Sequence, residues 1–162
     1  MFRPLRRHAQ QLSDARTIAL LEKGSSGTLA LHGDDDYPYA VPMSYAYADG
    51  KLYFHAALSG HKIDAIKQNA KASFCLIAQD DVVPERYTTR YQSVICFGNI
   101  RFLETADERR AAMNHLVTRY APLESIEKSQ QKISDDDAAM TIFCLDIAHM
   151  TGKASRELIN NA

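Results

Sequence analysis

The sequence predicts a mainly β (α+β) protein, an antiparallel barrel with two to four flanking helices. Three observations predict it. Short runs rich in β-branched and aromatic residues recur along the chain, separated by turn signals. Two of them, residues 37–47 and 52–57, are joined by Ala48-Asp49-Gly50-Lys51, a hairpin turn of the Asp-Gly type. Helical periodicity is confined to a few stretches, too few to alternate with strands as a doubly wound parallel sheet requires.

The elements follow in order. Ser13-Asp14 supplies a helix N-cap, Ile18 and Leu21 an apolar face, and Gly24 the end. Residues 28–31 form a short strand, and His32-Gly33-Asp34-Asp35-Asp36 a solvated turn. Those aspartates lack the spaced acids and distal Glu of a calcium loop. Pro42 in the first hairpin arm calls for an edge strand, a bulge, or a ladder interrupted by a ligand. Residues 61–69 form a short helix with Ile63 and Ile66 on its buried face and Ser59 as N-cap. A strand over 72–78, a polar loop over 79–86 and a long strand over 89–103 come next; Gly98 marks a bulge or a close backbone approach. Ala112, Leu116 and Tyr120 recur at i+4, so Ala106–Tyr120 is helical, and Pro122 follows its end. Residues 123–137 are a polar excursion, 140–147 the last strand, and Thr151-Gly152-Lys153 opens the tail. With no repeat or linker visible, 1–162 reads as a single domain with a helical insertion at about 105–137.

Composition narrows the function. A chain of 162 residues buries roughly 68–70% of its unfolded surface. The formal net charge of −1 offers no basic field for a nucleic-acid backbone, and Arg3, Arg6 and Arg7 read as a solvated tail. Cys75, Cys96 and Cys144 form no C-x-x-C pair and sit beside Phe74, Phe97 and Phe143, so buried free thiols are expected rather than a disulfide frame or a metal site. No apolar run reaches membrane-spanning length and no apolar segment follows the N-terminal arginines, so the expected location is the cytoplasm.

One segment has the chemistry to hold an anion. Ser59-Gly60-His61-Lys62 puts a hydroxyl, a flexible backbone position, an imidazole and an ammonium at a helix N-terminus. The unpaired N–H groups and positive dipole end there suit phosphate. Taken alone, such a segment is more often an ordinary helix start.

Its surroundings change that reading. The run Tyr39-Ala40-Val41-Pro42-Met43-Ser44-Tyr45, the Asp49-Gly50 turn, Leu52-Tyr53-Phe54-His55-Ala56-Ala57, Gly60-His61-Lys62-Ile63, and then Arg90-Tyr91-Gln92-Ser93-Val94 with Gly98 occur in one sweep. This pattern resembles the FMN-binding split-barrel superfamily that includes the pyridoxamine 5′-phosphate oxidases, and more narrowly its branch of nitroimidazole-resistance-type proteins. The resemblance covers about residues 5–155. It implies a six- to seven-stranded split barrel, a homodimer, and FMN in a cleft at the subunit interface. Val41, Pro42, Met43, Ser44 and Tyr45 would run beside the flavin ring. His55, Ala56 and Ala57 would approach the ribityl and phosphate side, with His61 and Lys62 on the phosphate and Ser93 from the partner or the same cleft. Alone, His55 in an apolar strand reads as a core histidine, and of Tyr45 and Tyr47 at least one is barrel packing. The C-terminus, Arg156 to Ala162, offers no second phosphate pocket, which disfavours vitamin B6 oxidation. The expected activity is reduction of a small, electron-poor, nitroaromatic-like compound. The alternatives are a non-catalytic flavin module and a haem-binding split barrel with His55, His61 or His149 on the iron.

Overall fold

The computed structural model describes residues 2–125, 127–128, 131 and 137–160. Most of the 123–137 excursion lies outside the described residues. Helix α1 (Asp14–Lys23) is capped by the Ser13 hydroxyl, which accepts from the Arg16 N–H. Strand β1 (Ser26–His32) pairs with β2 (Pro38–Ser44) and with β5 (Lys71–Val83). Strand β3 (Ala46–Ala48) makes the Asp49-Gly50 hairpin with β4 (Lys51–Ala57), but the expected first arm over 37–47 is split, because residues 38–44 pair with β1 instead. Helix α2 (His61–Gln68) follows β4, and β6 (Thr88–Phe102), α3 (Ala106–Tyr120), β7 (Met140–Ala154) and a C-terminal helix α4 (Arg156–Asn160) complete the order.

The strands form a seven-stranded sheet in the order β2-β1-β5-β6-β7-β4-β3, with every pairing antiparallel. Its two edge strands, β2 and β3, are separated in the chain by Tyr45 alone. A sheet whose opposite edges are joined by one residue must curl on itself, so the barrel follows from connectivity.

Two cores result. Inside the curl, Leu29, Phe54, Phe74, Val94 and Phe143 are fully buried, with Leu21 of α1 and Ile63 of α2 packed into the same cluster. Burial of each large side chain here contributes about 1.5–3 kcal/mol. Outside it, Ala112, Met113 and Leu116 of α3 cover Ala46, Ile142 and Cys144. The run 142–145 is continuously buried because β7 carries a core on each face. Cys96 and Cys144 are buried free thiols and Cys75 is half-buried. Burial pushes the Cys96 thiol up to about 12 and the Cys144 thiol up to about 11.

Three expectations need correction. Residues 79–83 are strand, not loop: they pair with 88–92 in a long β5–β6 arm, after a register shift between Ile77 and Gln79. The arm is polar because it is solvated, which hid its ladder. The last strand runs to Ala154, so Thr151-Gly152-Lys153 is strand paired with β6, and a side chain at Gly152 would strike Thr17 of α1. The N-cap of α2 is Gly60, not Ser59, and no side chain caps this helix. Gly98 does sit at a bulge, where a Cβ would collide with the Asp146 carbonyl.

Candidate functional site

The barrel is open along one seam. Strand β3 pairs with β4 in the register Ala46↔Tyr53, Tyr47↔Leu52 and Ala48↔Lys51. Continued, that ladder would set Ser44 opposite His55, Met43 opposite Ala56 and Pro42 opposite Ala57. It stops instead, because the chain bends at Tyr45 and β2 joins β1. Among the described residues the free edge of β2 and the 54–57 edge of β4 have no strand partner. Side-chain alternation agrees with this interrupted register. Met43 is buried and Ala56 packs on the inner core, whereas Pro42, Ser44, His55 and Ala57 are exposed on the other face. Pro42 costs no ladder bond on this free edge.

Helix α2 begins four residues beyond Ala57. Gly60 adopts φ 129°, a conformation that favours glycine, and a Cβ there would meet nothing within 4 Å. The N–H groups of Ile63 and Asp64 bond the Gly60 carbonyl, leaving those of His61 and Lys62 without a side-chain cap. Lys62 is half-buried at this end. The His61 imidazole stacks on Tyr39 of β2 with ring centroids 4.0 Å apart, and its Nε2 lies 3.6 Å from Asp34 Oδ2. This stack ties the start of α2 to the start of β2.

The structure thus brings Val41, Pro42, Met43, Ser44, His55, Ala56, Ala57, His61 and Lys62 along one seam and its end. Tyr45 stands at the bend with its side chain sealed inside: it is fully buried, and its phenol donates to the Leu21 carbonyl at 2.8 Å. Burial raises its pKa strongly. His55 is exposed, which removes the core-histidine reading. Ser93 is not in the seam of its own chain. It pairs with Ile77 and Lys153, on the stretch of β7 beyond the part that meets β4. Asp34, Tyr39 and Tyr120 are neighbours of the site that residue patterns did not assign. Each reaches it through tertiary contact, for which local sequence carries no signal.

The outer face of the sheet carries a second feature. Ile77, Ile95 and Phe97 stand 67%, 39% and 38% exposed on adjacent strands β5 and β6. Phe2 crosses this face, stacking on His149 at 4.8 Å and packing on Phe97 at 5.4 Å. The His149 Nε2 is buried there without a hydrogen-bond partner. Among the described residues no cluster of His, Cys, Asp or Glu could hold a metal, and no helix is long and apolar enough to cross a membrane.

A curled seven-stranded antiparallel sheet, open along one seam and flanked by a few helices, defines a split-barrel α+β protein. The chain belongs to the pyridoxamine 5′-phosphate oxidase family, whose model matches residues 13–154. An uncharacterised protein of Rhizobium meliloti is 28% identical over 127 residues, covering 75% of this chain and 79% of that protein. Among solved structures, a candidate 5-nitroimidazole antibiotic resistance protein from Bacteroides thetaiotaomicron superposes with a TM-score of 0.74 at 21% identity, over 89% of this chain and 86% of that one. An FAD- and haem-binding protein from Mycobacterium smegmatis gives 0.72 at 22% identity, over 90% of this chain and 73% of that one.

Proposed function

We propose that this protein is an FMN-binding flavoprotein, active as an oxidoreductase on a small, flat, electron-poor compound such as a nitroaromatic. The observation that carries the reading is the open seam between β2 and β4, with the uncapped start of α2 and Lys62 at its end. A flat ring system needs an elongated slot with unpaired backbone on one side, and its phosphate needs N–H groups and a cation. The seam offers both. Family membership and the flavin- and nitroimidazole-associated neighbours support the same reading.

Roles follow from position. The free edge over Val41, Pro42, Met43 and Ser44 meets the polar rim of the ring through backbone groups, since Met43 turns its side chain inward. Ala56 and Ala57 allow close backbone approach, His55 flanks the ribityl chain, and His61 and Lys62 take the phosphate. Tyr45 serves by holding the bend. When bound, the flavin supplies electron transfer; the chain supplies position and exclusion of water.

The exposed Ile77, Ile95 and Phe97 support a homodimer formed through this face. A second copy would bring its Ser93 to the seam, which explains why Ser93 lies away from it within one chain. The cofactor then sits at the subunit interface and the chain is a soluble cytoplasmic dimer.

The test is the absorption of the purified protein, before and after incubation with FMN. The paired visible bands of an oxidised flavin support the reading, and a preparation that stays colourless with FMN refutes it. NAD(P)H-dependent loss of a nitroimidazole's absorbance separates a reductase from a flavin-binding module. A second reading, haem binding, is favoured by the buried unpartnered Nε2 of His149. A Soret band lost in His149→Ala would select it.

A further inference from the structure

We propose that Asp34 is a charge gate on the phosphate end of this site: its carboxylate faces the His61 imidazole that a flavin phosphate would use, and so sets how strongly the site discriminates between phosphorylated and unphosphorylated flavins. The inference rests on the flavin reading above.

The geometry is specific. Asp34 Oδ2 lies 3.6 Å from His61 Nε2, in a pair 75% and 46% exposed, and the Tyr39 ring stacks on the face of the same imidazole at 4.0 Å. The backbone that carries Asp34 is held by a closed turn. The Gly33 N–H donates to the Tyr37 carbonyl at 2.9 Å, and the Tyr37 N–H donates to the Asp34 carbonyl at 3.0 Å. The two residues after Asp34, Asp35 at φ 53° and Asp36 at φ 61°, both adopt left-handed backbone. A non-glycine pair in that region is held by its surroundings. The turn therefore presents an exposed negative charge at the mouth of α2.

Among the described residues, an anion reaching the first turn of α2 meets Lys62 of that turn and an imidazole that faces a carboxylate. A phosphate monoester carries about −1.5 to −2 charges at neutral pH. It must either displace Asp34 from His61 or sit beside it, and like charges a few ångströms apart repel. Both alternatives weaken FMN. Neither touches riboflavin, whose ribityl end is uncharged. Asp34 faces His61 at the α2 end of the seam, so its effect falls on the phosphate.

The experiment compares dissociation constants of FMN and riboflavin, by fluorescence titration of the full chain, in the wild type, Asp34→Asn and Asp36→Asn. Asn keeps the shape of the side chain and tolerates the turn. Asp36→Asn removes the same charge from the same turn, but at a side chain that lines the neighbouring groove with Ala30 and Lys71. The gate predicts that Asp34→Asn tightens FMN about tenfold, leaves riboflavin within about twofold, and exceeds the effect of Asp36→Asn. An unchanged FMN-to-riboflavin ratio in Asp34→Asn, a weaker FMN complex, or an equal gain in Asp36→Asn overturns the gate while leaving the flavin reading intact. Equal affinity for FMN and riboflavin in both the wild type and Asp34→Asn means no phosphate sits at α2, which removes the gate and the proposed phosphate site together.

Discussion

The backbone N–H of Tyr45 donates to the Tyr120 hydroxyl at 2.9 Å, at the point where the chain leaves β2 for β3. The same N–H approaches the Ser25 carbonyl at 3.2 Å, and the Tyr120 hydroxyl itself donates to Ser25. A strand that bends away from its neighbour must find other partners for its backbone. Here the last residue of α3 supplies one. Arg119 beside it donates to the Gly24 carbonyl at 3.1 Å and also bonds the Lys23 carbonyl, closing the C-terminal end of α1. The helical insertion thus holds the seam open from behind. Tyr120→Phe is expected to cost about 0.5–1.5 kcal/mol in chemical denaturation, the usual worth of one hydrogen bond. It is also expected to speed hydrogen exchange at the Tyr45 amide; an unaltered amide would show that Ser25 alone satisfies it.

Lys62 is the cation at the uncapped end of α2. Lys62→Ala is expected to weaken FMN binding by about 1.5–3 kcal/mol, the range for a hydrogen bond to a charged group. Riboflavin affinity should hold. Titration of both ligands checks this, and an unmoved FMN constant would locate the phosphate elsewhere.

The exposed apolar face over β5 and β6 makes a separate prediction. Replacing Ile95, which is 39% exposed, by Asp places a charge at the centre of that face and should yield a monomer in light scattering. With the cofactor at the interface, the monomer should lose its flavin colour. A flavin-loaded monomer would show that one chain completes the site.

The C-terminal helix gives a pH-dependent prediction. Glu157 accepts from Arg90 Nε at 2.6 Å and from Arg86 at 2.8 Å, tying α4 to the β5–β6 arm. Its hydrogen bonds to Arg90 and Arg86 hold its carboxyl below the usual range. A lowered folded-state pKa stabilises above the unfolded value and is lost as pH falls through the folded one. Glu157→Gln should therefore lower Tm slightly near neutral pH, and the difference should vanish in acid, below the carboxylate range. A difference that persists in acid would assign the effect to packing instead.

Much of the fold was legible because its signals are local. Asp49-Gly50 makes a hairpin wherever two strands flank it, and the β3–β4 pairing followed. The Ala112, Leu116 and Tyr120 spacing delimits α3, and Ser13 caps α1. Gly98 marked a bulge because a Cβ there meets the backbone of β7. The polar stretch 79–83 was not legible, since a solvated ladder needs no apolar alternation. Ser59 read as a cap because hydroxyls usually cap helices, yet the chain uses Gly60 and leaves the helix end open.

For the seam itself, the Ser59-Gly60-His61-Lys62 segment and the flanking strands were readable as residue types in order, and they mark where an anion could be held. Order along the chain cannot say which edges part. That depended on the bend at Tyr45, held by Leu21 and Ser25 at the end of α1 and by Tyr120 at the end of α3. It also depended on the turn that brings Asp34 to His61, 27 positions away in sequence. Local pattern determines elements because it reflects backbone geometry and burial. Contacts between distant residues decide the site, because only packing brings an acidic turn, a strand edge and a helix end to one place.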